Sequence, residues 1–271
     1  MKKPLRPGLL LSLGWLLLLA GCASEPTLSA ADPGATPQVV QAREVLNQQL
    51  NRAPFIKDVV FLTKEDEFPI INYTDPDTGQ GKSVVLSDLL PASIAISYSP
   101  SPNAYTEPAW KVSYHNFQDG HDYFWLWSGW SQADAQQMAD ALQVLVQDGR
   151  RKVDAMLATR YQKFLGLCGG YLGGKTAAPL PEEARQHLLL AQDAQSRNDM
   201  DKALDESDKM VDAAPCWAQG RYQAALLEAQ VGYYPVAVQN MKKYLLLYPD
   251  APNAQAVRDQ ILIWNGRMGV E

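Results

Sequence analysis

The chain is predicted to fold as an α+β N-terminal domain, antiparallel strands closed by a helix, followed by an all-α domain of helical hairpins. Three observations carry this. Short β-type runs separated by turn residues fill positions 59–127. An apolar helical stripe starts directly after them, at Ala135. The last third of the chain matches itself at a spacing of 34 residues.

Composition is that of a globular protein: 271 residues, 46% hydrophobic and 20% charged. A net charge of −6 gives no basic field for nucleic acid. Residues 1–21 read as a removable signal segment. Lys2, Lys3 and Arg6 precede an apolar stretch from Gly8 to Leu19. That stretch falls well short of the roughly 20 residues a spanning helix needs, and it fits a secretory apolar region of about 7–15.

Leu19-Ala20-Gly21-Cys22 resembles the lipobox of bacterial lipoproteins. The resemblance implies cleavage before Cys22, a diacylglyceryl group on its sulfur and an acylated new amino terminus. Several acyl chains on one residue give lasting anchorage. Ala23 follows Cys22, which in this class implies the outer membrane rather than the inner one, with the body facing the periplasm. Cleavage removes three cations and no acid, taking the net charge from −6 to −9. So acidic a body is not expected to lie flat on anionic lipid. Residues 22–37, rich in Ala, Ser, Pro and Gly, read as a flexible tether.

The first domain is assigned to residues 38–148. Val39, Val40, Ala42, Val45, Leu46 and Leu50 predict a short amphipathic helix over 38–51. Strand runs follow at 59–62, 69–73, 83–86 and 94–98, then a proline-rich loop at 99–108. The clearest hairpin joins 110–115 to 122–127 through Asp119-Gly120. Both faces of its returning strand are apolar, which predicts a central strand or one covered by a helix. Ser131 and Asp134 then form a near capping box. This element order resembles pleckstrin-homology-like domains over about 90 residues, through the YFWLW…ADAL ending.

Gly149 is predicted to interrupt the helix, with a second one over 150–167. Residues 149–179 read as that helix plus a glycine-rich linker, GLCGGYLGGKTAAP. With Cys22 lipidated, Cys168 and Cys216 remain. In an oxidising periplasm they are either a disulfide or two buried thiols.

Residues 180–271 hold the repeat. Ala191 and Ala225, Ala203 and Ala237, and Pro215 and Pro249 are each 34 residues apart. This is the tetratricopeptide period. Small residues stand where paired helices cross, and each proline where a second helix must end. Helices are predicted at 182–196, 200–213, 217–230 and 235–247, with a cap at 252–264. The resemblance implies a partner groove on the first helix of each repeat, formed here by Arg185, Leu188, Gln192, Gln219, Tyr222, Leu226 and Gln260. It is neutral and amide-rich.

Chemistry-bearing motifs are thin. Thr78-Gly79-Gln80-Gly81-Lys82-Ser83 lacks the first glycine of a phosphate loop, Pro76 standing in its place. Asp75 and Asp77 lack the terminal carboxylate of a calcium loop. His115, Asp119, His121 and Asp122 cluster near one turn, as zinc ligands or as solvated turn residues. No cofactor or metal and no catalytic residue is assigned. Trp110, Tyr114, Tyr123, Phe124, Trp125, Trp127 and Trp130 are a core or a ligand platform, with Trp130 the one expected to be exposed. The leading expectation is a lipid-anchored adaptor that docks an envelope protein in assembly, secretion or pilus biogenesis. The alternative is a lipoprotein whose aromatic β-domain holds a lipid, glycan or muropeptide.

Overall fold

The structure, a computed structural model, describes residues 35–53, 57–62, 70–74, 81–100, 108–127, 129–174 and 177–270. The signal segment, Cys22, most of the tether, Asp75, Asp77 and most of the proline-rich loop lie outside the described residues.

Helix α1 spans Pro37–Arg52. Thr36 caps it by accepting from the Val39 N–H, and Pro37 opens it where no N–H is needed. Val39, Ala42, Leu46 and Leu50 face inward. Two antiparallel three-stranded sheets follow. The first holds β1 (Lys57–Leu62), β2 (Ile70–Thr74) and β3 (Gly81–Val85) in that order. The second holds β4 (Ala95–Ser99), β5 (Ala109–Asn116) and β6 (His121–Trp127). Strand β5 is central and, among the described strands, β6 pairs with β5 alone, so of the two expectations for the returning strand the central one is corrected. The period of two explains the difference. Trp125 turns inward opposite Val112, while Phe124, 58% exposed, turns outward opposite Ser113.

Helix α2 runs unbroken over Gln132–Cys168, 37 residues and about 56 Å. Its capping box is complete: Asp134 N donates to Ser131 Oγ at 3.1 Å, and Ser131 N to the Asp134 carboxylate at 2.9 Å. Gly149 does not interrupt it, contrary to the sequence expectation. One glycine costs a helix only about 1 kcal/mol, and Gly149 is buried here. The first half of α2 supplies Ala135, Met138, Leu142 and Val146 to the core beneath α1 and the sheets. The second half carries Val153, Leu157, Phe164 and Cys168 into the helical part.

Five helices complete the chain: α3 (Glu182–Ser196), α4 (Met200–Ala213), α5 (Ala218–Gln230), α6 (Tyr234–Leu247) and α7 (Ala254–Arg267). Helices α3 and α4 form one antiparallel pair and α5 and α6 the next, with α7 against α6. Ala191, Ala203, Ala225 and Ala237 are all buried. The glycine-rich stretch after α2 packs rather than dangles. Tyr171 and Leu172 lie against Phe164, Cys168 and Leu247. Cys168 and Cys216 are joined by a disulfide, their Cα atoms 5.4 Å apart.

The two halves meet at the tip of the β5–β6 hairpin. Phe117 is buried among helical residues, its ring 6.3 Å from that of Tyr234. Gln118 Nε2 donates to Val231 O at 3.0 Å, and Arg150 to Met268 O at 2.9 Å.

Candidate functional site

Three places hold polar side chains in arrangements that binding can use. The first is the face of α3, α5 and α7. Arg185, Gln192, Gln219 and Leu226 are exposed, and Leu188, Tyr222 and Gln260 are half-buried. Gln192, Leu226 and Gln260 occupy the same register of successive helices. Gln195 Nε2 donates to Gln230 Oε1 at 2.9 Å, which ties α3 to α5. Arg185 sits 3.5 Å from Glu182 on its own helix. Leu188 packs into the α3–α4 core and Tyr222 tilts over Tyr244 at 5.2 Å, so these two residues also hold the helices together. Leu189, Leu190, Leu262 and Ile263 are also exposed on these helices; the sequence places the first two in the space of the repeat's missing aromatic residues and Leu262 in the cap, and none of the four in the groove. The run Leu188-Leu189-Leu190 was the signal, since three consecutive residues cannot share one helix face.

The second is a buried polar chain between α2, α5 and α6. Arg221 donates to Pro215 O at 3.0 Å and to Asn240 Oδ1 at 3.1 Å. Asn240 donates in turn to Glu228 Oε1 at 2.7 Å, while Glu228 Oε2 is buried with no partner. Phe164 offers its ring to Arg221 and Lys243, at 5.4 and 5.6 Å. Desolvation pushes the Glu228 carboxyl up to about 8 and the Lys243 ammonium down to about 8. The network joins α2 to the α5–α6 pair. Nothing in the periodicity pointed to it, because charged residues on a helical pattern read as a solvated face.

The third is a cavity of about 500 Å³ at the junction of the two halves, walled by α2, α6, the end of α7 and the hairpin tip. Val153, Leu157, Val238 and Met268 form its buried apolar floor, and Asp154, Ala158 and Lys242 its exposed rim. Arg150 lines it beside Phe117, the guanidinium 5.5 Å from that ring. Below this wall the Asp88 carboxyl is pushed up to about 7 by desolvation, against the pull of Ser87 and Arg150.

The aromatic set divides. Tyr114, Trp125 and Trp130 are core. Trp130 is 2% exposed, against expectation, because its indole N–H reaches Gln49 O of α1 at 3.4 Å. Tyr123 and Phe124 remain exposed, on opposite faces of the second sheet; Tyr98, also exposed, shares the face of Trp110, Tyr114 and Tyr123. His115 and Asp122 pair at 2.8 Å, and Tyr123 donates to Asp119 at 2.7 Å. Among the described residues no three His, Cys, Asp or Glu side chains group as metal ligands. No helix among them is long and apolar enough to cross a membrane. No family model, curated protein or solved structure matches the chain.

Proposed function

We propose that the chain is a lipid-anchored adaptor of the bacterial envelope, held to the outer membrane through Cys22 and facing the periplasm. In this reading α3–α4 and α5–α6 are two tetratricopeptide repeats capped by α7. They dock a peptide segment of a protein partner on the face of α3, α5 and α7. One observation carries it. Among the described residues of these five helices, the exposed large aliphatic side chains are Leu189, Leu190, Leu226, Leu262 and Ile263. All five stand on α3, α5 and α7, and none on α4 or α6. By helix spacing Leu189, Leu226 and Ile263 share a side with Gln192, Gln219 and Gln260, and exposed aliphatic side chains on that side are what a peptide groove needs. The flanking Gln192, Gln219 and Gln260 offer amides and no net charge, so the partner segment is apolar with neutral polar groups rather than acidic.

Photo-crosslinking amino acids test this in the full chain. Placed at Gln192, Gln219 and Leu226, they should trap one and the same protein. Placed at Asp205 or Lys209 on α4, they should not. Leu226→Arg should abolish the capture. Trapping that is equal on both faces, or that survives Leu226→Arg, rejects the groove.

A further inference from the structure

We propose that the junction cavity binds a single-chain amphiphile, an acyl chain with one anionic headgroup, either a carboxylate or a phosphate. The site is independent of the α3, α5 and α7 face. At about 500 Å³ the cavity lies inside the usual range of ligand pockets, roughly 300–1,000 Å³. Val153, Leu157, Val238 and Met268 make its floor apolar, which suits a hydrocarbon chain.

The polar groups choose the head. Arg150 lines the cavity and spends one guanidinium nitrogen on Met268 O at 2.9 Å. A guanidinium carries further N–H donors, and an anionic oxygen answers them best, because charge-assisted hydrogen bonds are the stronger class. Lys242 adds a second cation on the rim. Asp154 shares that rim and opposes an anion, which leaves one net positive charge among the three side chains. Asp88, within Coulombic reach of Arg150, titrates near neutrality and does not fully offset the guanidinium. A sugar or nucleotide would bury its polar groups against the aliphatic floor, and a pure hydrocarbon would leave Arg150 unanswered.

Membranes from cells making the full chain provide the assay. A photoactivatable palmitate, a matching lysophosphatidylglycerol and an uncharged monoacylglycerol are each added, and labelled peptides are mapped by mass spectrometry. The two anionic probes should mark residues 153–161 and 235–242 about tenfold more than the uncharged one. Their ratio identifies the headgroup. Ala158→Trp, on the exposed rim, should block the mouth without entering the core and cut labelling about tenfold. Arg150→Gln should erase the preference for an anionic head while the Cys168–Cys216 bond stays intact. Labelling that maps elsewhere, survives Ala158→Trp or ignores headgroup charge overturns the site.

Discussion

Gly232 and Gln118 meet so closely that a Cβ on Gly232 would lie 2.4 Å from Gln118 Cγ and 2.6 Å from its carbonyl oxygen. Gly232 also has φ +83°, a conformation that L side chains rarely adopt. The turn between α5 and α6 is thus pressed directly on the β5–β6 hairpin tip. Gly232→Ala should cost roughly 2–3 kcal/mol, read as a lower Tm of the full chain. Gln118→Ala, which loses the bond to Val231 O and the packing of Cγ beside Gly232, should cost about 1–2 kcal/mol. If Gly232→Ala left the Tm unchanged, the two halves would not be joined there.

Trp130 ties α1 to the start of α2. Trp130→Ala removes a fully packed indole and should cost about 3–5 kcal/mol in urea unfolding. Trp130→Phe keeps most of the burial and should cost less than half of that. A surface tryptophan would show neither loss.

Cys168 and Cys216 stand 48 residues apart and pin the end of α2 to the α4–α5 turn. Replacing both with Ala should lower stability by about 4 kcal/mol on loop-entropy grounds. Reductant should lower the Tm of the parent chain and leave the double variant unaffected.

Asp88 and Glu228 set the pH dependence. Both carboxyls titrate higher in the fold than in the unfolded chain, at about 7 and about 8, because burial penalises their charge. The fold therefore holds protons that the unfolded chain releases from about pH 4 upward. Stability is greatest at the acid end of that window and falls as pH rises to about 8. Lys243, pushed down to about 8, works in the other direction only above that value. Asp88→Asn should raise the Tm at pH 8, by the equivalent of roughly 2–4 kcal/mol, and change little near pH 4. A Tm that climbs steadily from pH 5 to 8 would contradict this.

The helical hairpins were legible because their signals are local. Prolines 215 and 249 end helices, and alanines at a fixed spacing mark close crossings, so predicted and observed bounds differ by three residues at most. The unbroken α2 was not legible, because what outweighs the roughly 1 kcal/mol cost of Gly149 is packing of the flanking turns against segments distant in sequence. Trp130 was misjudged for a related reason. Its position before a cap looks exposed until α1, some 80 residues earlier in the chain, folds across it. The junction cavity gave no sequence signal. Its walls come from a hairpin tip, the middle of α2, α6 and the tail after α7, which share no motif and meet only in the tertiary fold.

An unbroken α2 also dictates an order of assembly. As the chain emerges from its N-terminus, the first half of α2 finds α1 and both sheets already made. The second half, with Val153, Leu157 and Phe164, must wait for α6 and α7 to cover it. Until then it is a bare apolar stripe, open to proteases and to self-association. A chain cut short between α2 and α6 should therefore be an aggregation-prone species and a natural client for a holding chaperone.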